Sequence, residues 1–378
     1  MGPLLAGISV ALAATSLEGM TNTAQKVAAG WAATTGTMAL TWAITGRGFP
    51  FGPGDERNSA SPLRALPADI GAPLFAGVLL TAAVALIAMA GTDRPHRYAR
   101  PVLLGYLGLV VAALLAVVPD GRVLTFAGYL PMMIGGLPFG WPPVDYSTIF
   151  TWPLAVMVWS ILGGVLIARA AVRWNRRTRR SCEECGRTPD GGGWTSAESA
   201  RRWGRVAVWV AAVIPAMYAA VRIAWALGFP LGIDSGFLDE MHRTGLVWAG
   251  LGLAAFALAG SVLTLGLTQR WGEVFPRWIP FARGHRVPIR LATIPASLVS
   301  VFVLSGSVSL LTADGSEALF DRQDLAARLP MMLWPLWAVA LGAAAYGYHL
   351  RRRGACPRCD EESRPAPGLV RGSRPGAY

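Results

Sequence analysis

The chain has 378 residues, of which 53% are apolar and only 15% charged, and its formal net charge is +12. A soluble domain carries about 25% charged residues, so the deficit excludes a disordered chain or a nucleic-acid-binding tail. The apolar residues arrive in blocks of about 20, separated by short charged stretches, which is the pattern of a multi-pass membrane protein. Of the 34 basic residues all but Lys26 are arginine, a usage that, with abundant Ala and Gly, suggests a GC-rich bacterial genome.

The first apolar stretch, 3–16, is too short to span and lacks the basic start of a signal peptide. A signal-like core and a short ninth span are open; an interfacial or helix-extending segment is the favoured reading. Eight runs then follow that can cross roughly 30 Å of hydrocarbon as helices: 28–46, 72–90, 101–119, 151–171, 206–228, 245–267, 291–312 and 330–350. An even number of spans puts both termini on one side. The segments on that side hold 25 Lys and Arg against 7 in the opposite loops, so both termini are expected in the cytoplasm of a bacterial plasma membrane.

Two outer loops carry further signals. In 120–150, the stretch 123–138 is apolar, broken by Gly and Pro and too short to span, which fits a re-entrant or interfacial segment, with Tyr129, Trp141 and Tyr146 as an interfacial aromatic belt. In 229–244, Asp239, Glu240 and His242 lie beside Arg243, in an order that matches no metalloprotease motif; a solvated cluster is the simpler reading.

Phrases recur in the same order in the two halves. Trp42-Ala43 and Phe49-Pro50 are answered by Trp225-Ala226 and Phe229-Pro230, at offsets of 183 and 180, and Trp152-Pro153-Leu154 by Trp334-Pro335-Leu336, at 182. Each half closes on an arginine cluster and a C-x-x-C pair, at an offset of 174. The expected organisation is an N-terminal segment (1–27), a four-helix repeat (28–172), a linker (173–205), a second four-helix repeat (206–350) and a tail (351–378). Four spans per repeat make the repeats parallel. Thr195 and Glu198 have capping-box spacing, predicting a short interfacial helix from Ser196 into the fifth span.

The four cysteines form two pairs, Cys182 with Cys185 in the linker and Cys356 with Cys359 in the tail. Two such pairs complete a four-thiolate site with Zn–S near 2.3 Å. Gly186 permits a turn, Cys356-Pro357-Arg358-Cys359 resembles a zinc-ribbon knuckle, and nearby arginines favour thiolates. A structural zinc is the expected cofactor. Thiol redox is the alternative, disfavoured by the reducing cytoplasm and by the lack of a β-α-β pattern; unliganded cysteines are the third reading.

Within the spans, polar groups that could serve a solute are few: Thr34, Thr35, Thr37 and Arg222. Arg222 lies near the outer end of its span, where snorkelling to the interface competes with an internal role. The arginines at 173–180 follow a span directly and read as topological, with anionic lipid headgroups as their partner and no nucleic acid. No nucleotide-binding, zincin or nucleophile-elbow motif occurs, and His96, His242, His285 and His349 are scattered.

The succession Leu267, Thr268, Gln269, Arg270, Trp271, Gly272 and Glu273, followed by Phe275, Pro276, Arg277 and Trp278, resembles uncharacterised integral membrane proteins of actinobacteria. The resemblance covers mainly the second repeat, implies a membrane bundle and carries no activity. The expected fold is an all-α polytopic bundle of about eight transmembrane helices. The expected function is a non-enzymatic, permease-like or transport-associated role with a cytoplasmic zinc knuckle; a zinc- or redox-responsive regulator and a thiol oxidoreductase are the alternatives.

Overall fold

The computed structural model describes residues 22–55, 61–92, 94–136, 149–179, 181–182, 185–187, 193–277, 283–312, 325–354 and 356. The eight apolar runs all fall in helices, because an apolar chain in lipid can satisfy its own N–H and C=O groups only that way. In chain order these are α1 (Thr23–Thr45), α2 (Ala68–Gly91), α3 (Ala99–Ala112), α4 (Gly121–Gly136), α5 (Trp152–Thr178), α6 (Ala197–Ala226), α7 (Ser235–Thr244), α8 (Leu246–Gly266), α9 (Ile289–Thr312), α10 (Leu325–Met332) and α11 (Trp334–Arg352). Among the described residues the one β feature is a bridge between Val274 and Arg286. The stretch 3–16 with its proposed roles, and Trp141 and Tyr146, lie outside the described residues.

Among the described residues six helices are long and apolar enough to cross a membrane: α2, α3 with the π turn that extends it to Val117, α5, α6, α8 and α9. Their outward faces are bare hydrocarbon. On α8, Trp248 is 61% exposed, Phe256 80% and Leu263 66%, a continuous apolar surface that water would penalise and lipid accepts. The chain is therefore a multi-pass helical membrane protein. Helices α1 and α11 occupy the other two expected spans but are less apolar, α1 through its threonines and α11 through His349, Arg351 and Arg352. The α1 threonines are satisfied in place: Thr34, Thr35 and Thr37 donate to the carbonyls of Gly30, Trp31 and Ala33 at 2.8–2.9 Å.

Three local expectations are refined. The apolar stretch after 120 is a helix, α4, set off from α3 at Pro119, and the Asp120 carboxylate accepts from the Arg122 amide at 2.9 Å. Helix α6 is capped by Ser196, whose hydroxyl accepts from the Ser199 amide at 3.2 Å, and runs unbroken to Ala226. The expected short interfacial helix and the fifth span are thus one element, capped one residue later than Thr195. The 229–244 loop contains α7, with the Asp234 carboxylate accepting from the Gly236 and Phe237 amides.

The chain packs as two compact units, one of Met1–Phe49, Ala68–Val111 and Leu162–Thr178, the other of Pro50–Pro67, Ala112–Ile161 and Arg179–Tyr378. In the first, α1 lies along α2. The inner part of α5 closes it: the buried Trp174 donates its Nε1–H to the Thr92 carbonyl at 3.0 Å, and Arg177 donates to the Met89 carbonyl at 2.9 Å and to Asn22. In the second unit, α6 packs on α8 and α11, and α9 on α11 and α4. The buried Tyr348 donates its O–H to the Gly272 carbonyl at 2.7 Å, and Arg351 donates to the Leu267 carbonyl and pairs with Glu273 at 3.3 Å.

The loop after α8 folds back so tightly that a Cβ on Gly272 would stand 1.9 Å from the Gly266 carbonyl oxygen, whereas one on Gly252 in α8 meets nothing within 4 Å. Because the obstruction is backbone, Gly272→Ala is expected to destabilise the protein by about 1–3 kcal/mol. The thermal midpoint in detergent should fall for Gly272→Ala and hold for Gly252→Ala; equal midpoints would contradict the packing described.

Candidate metal centre

The end of α5 and the end of α11 each run into a cysteine arm, and the two arms meet in the second unit. Cys182, Cys185 and Cys356 present sulfurs that all lie within 4.8 Å of one another. Cys185 and Cys356 are buried and Cys182 half-buried. The Cys182 and Cys356 sulfurs are 3.8 Å apart, far beyond a disulfide bond of about 2.05 Å. That separation is what two thiolates at 2.3 Å from one tetrahedral ion require, about 3.8 Å by geometry. Three thiols so arranged could hold one metal ion. Cys359, the fourth expected ligand, lies outside the described residues.

The turn between the linker cysteines follows from the residue after them. Gly186 adopts a positive φ of 69°, open to glycine at no steric cost; its amide donates to the Cys182 carbonyl at 2.8 Å and the Cys182 amide to the Arg187 carbonyl at 2.9 Å. The two arms are cross-braced by arginines. Arg187, on the linker, donates to the Gly354 carbonyl at 3.0 Å, while Arg353, on the tail, donates to the Cys185 carbonyl and to the Thr195 carbonyl at 2.8 Å. Each arm thus holds the other's backbone.

The other candidates resolve differently. The Arg222 guanidinium lies over the Trp225 ring at 4.5 Å and the Tyr218 ring at 5.2 Å, a cation–π seat for a charge near a span end. In α7, His242 contacts the Trp225 carbonyl at 2.9 Å and so ties α7 to the end of α6, while Glu240 pairs with Arg243 on the exposed face of the same helix. Thr34, Thr35 and Thr37 are bonded within their own helix. The arginines at the ends of α5 and α11 do more than set topology, since Arg177, Arg351 and Arg353 bond named carbonyls.

One constellation escaped the sequence reading. Arg122 forks between two buried carboxylates, reaching Asp55 at 2.6 and 3.1 Å and Asp120 at 2.6 and 3.0 Å. Burial opposes its charge, but the hydrogen bonds and negative charge of Asp120 and Asp55 outweigh that and hold the guanidinium above its ordinary pKa. This triplet pins the 50–55 segment to the start of α4. A local signal existed for Asp120 with Arg122; nothing local points to Asp55, 67 residues away.

Comparison with protein-family models, with curated proteins and with solved structures finds no match.

If the arginine brace positions the arms, Arg353→Ala removes two charge-assisted hydrogen bonds, worth about 1.5–3 kcal/mol each. The expected result is faster modification of Cys185 by a thiol reagent with the helix content unchanged in circular dichroism. Unchanged thiol reactivity would show that the brace is dispensable.

Proposed function

We propose that the chain is a non-enzymatic protein of a bacterial cytoplasmic membrane, eight spans in two parallel four-helix repeats with both termini inside, stapled on its cytoplasmic side by a zinc ion between the linker and the tail. Cys182 and Cys185 from one arm and Cys356 and Cys359 from the other are the ligands. The observation that carries this reading is the convergence of three of these sulfurs within 4.8 Å from arms 174 residues apart. Zinc suits the donor set, since a four-thiolate shell with no open position is a structural site.

The repeat reading draws support from bonds inside each unit. Trp174 and Arg177 donate to carbonyls at the end of α2, and Tyr348 and Arg351 donate to carbonyls after the end of α8. The offset between these two pairs is 174 residues, the same as between Cys182 and Cys356. By analogy with other duplicated bundles, the role is permease-like or transport-associated. The half-exposure of Cys182 favours one second reading, a zinc- or redox-responsive regulator in which loss of the ion frees the tail.

The test is elemental analysis of detergent-purified protein together with a count of reactive thiols. One zinc per chain, lost in both Cys182→Ser and Cys356→Ser, is the expected outcome; metal-free protein with four reactive thiols would overturn the staple. Limited proteolysis then separates the two roles. A scaffold keeps its tail protected until a strong chelator strips the ion, whereas a regulator exposes it reversibly as free zinc or the redox potential is varied. A fluorescent-protein fusion after Tyr378 that fails to fluoresce in cells would contradict the cytoplasmic C-terminus.

A further inference from the structure

The end of the second unit that carries Arg351 also holds a polar cleft of about 270 Å³, whose charged lining is Arg201, Arg205, Arg270, Arg351 and Glu273, beside Thr268 and Gln269. Four guanidinium groups and one carboxylate leave a formal excess of three positive charges. They come from three elements. Arg201 and Arg205 stand four residues apart on the second and third turns of α6, and so share a face. Arg270 belongs to the short 3-10 turn after α8, and Arg351 to the last turn of α11.

The five groups are not equivalent. Arg351 is only 11% exposed in its side chain, is paired with Glu273 at 3.3 Å and donates to the Leu267 carbonyl. It is committed to the fold and forms the floor of the cleft. The Tyr348 hydroxyl donates to the carbonyl of Gly272, the residue before Glu273, so that carbonyl is already partnered. Arg201, Arg205 and Arg270 are exposed, and among the described residues their side chains have no hydrogen-bond or ion-pair partner. Three unpartnered guanidinium groups around one concavity repel one another unless an anion sits between them. Their planar forks match the oxygens of a phosphate group.

We propose that this cleft is a binding site for a phosphate-bearing anion, with Arg201, Arg205 and Arg270 as its ligating residues and Arg351 as its fixed floor. The source the setting favours is the headgroup of an anionic phospholipid. Helices α6 and α8 are apolar enough to span, and the cleft lies where the apolar stretch of α6 begins and that of α8 ends, the depth at which headgroup phosphates sit. The site is separate from the thiol cluster and would stand if that cluster bound no metal.

Protein stripped of lipid in detergent is re-supplied with phosphatidylglycerol, and retention is read by native mass spectrometry. Phosphatidylcholine of the same acyl chains and inorganic phosphate form parallel arms. The expected result is one phosphatidylglycerol retained per chain, in preference to phosphatidylcholine and more weakly as ionic strength rises. The double variant Arg201→Gln, Arg205→Gln should weaken retention about 30-fold, and Arg270→Gln, on an exposed turn that cannot unfold α6, about 5-fold. Binding of inorganic phosphate, weakened by the same variants and without lipid retention, assigns the site to a free anion and keeps the proposed chemistry. Retention unchanged in Arg270→Gln and in the folded double variant, or no binding of either probe, overturns it.

Discussion

A helix that ends at the edge of a membrane leaves its last carbonyls without intrahelical partners, loop carbonyls beside it need partners too, and among the described residues side chains answer both needs. At the end of α2 the carbonyls of Met89 and Ala90, and that of Thr92 just beyond, accept from Arg177, Asn22 and Trp174. Beyond α8 the carbonyls of Leu267 and Gly272 accept from Arg351 and Tyr348. The carbonyls of Val287, Cys185 and Thr195 accept from Arg352 and Arg353. The near-total use of arginine over lysine has a structural use here. A guanidinium offers five N–H donors on a rigid plane, so a single side chain can tie two carbonyls together, as Arg353 does for Cys185 and Thr195.

Much of this was legible beforehand, and the limits follow from the range over which a sequence carries information. Apolar runs located the helices because the only requirement is length and hydrophobicity. The cysteine pairs pointed to one another because thiols are rare and their chemistry is narrow, and Cys182, Cys185 and Cys356 do converge. The arginine clusters were read as charge bias alone. Which carbonyl each guanidinium meets depends on loop paths that no local pattern encodes. The Asp55–Arg122–Asp120 triplet was invisible for the same reason. The helix α4 was passed over because Gly and Pro within an apolar stretch read as breaks, although a helix packed against neighbours tolerates them. Packing on α9 supplies that support, with the Gly121 amide donating to the Ser309 hydroxyl at 3.1 Å.

Polar groups inside the apolar helices divide into two kinds, and the division bears on what the bundle can do. Hydroxyls such as Thr35, Ser160, Ser261 and Thr264 donate to the carbonyl four residues back, at 2.8–3.0 Å, which hides them from lipid and costs no partner. Ser300 and Ser309 reach across to other segments, Ser300 donating to the Ala338 carbonyl at 2.7 Å. These cross-helix bonds fix α9 against α11 and the start of α4. A solute path through this part of the molecule would have to displace bonds of the second kind, so Ser300 and Ser309 mark positions where the packing is specified rather than merely greasy.

The three arginines that close α11 show how one short run serves separate chemistries. Successive residues on an α-helix point about 100° apart, and Arg353 leaves the helix at ψ 118°, so Arg351, Arg352 and Arg353 fan out around the helix end. Arg351 turns to the loop after α8 and floors the basic cleft, Arg352 holds the Val287 carbonyl, and Arg353 holds the cysteine arm. Substituting one of them would therefore act first on its own loop. The end of α11 is nonetheless shared by all three, so an ion that stiffened the Cys356 arm would also steady the backbone from which Arg351 reaches into the cleft. Coupling between metal and anion would then travel along the backbone from Cys356 to Arg351, five residues back, without any change in the membrane-spanning packing.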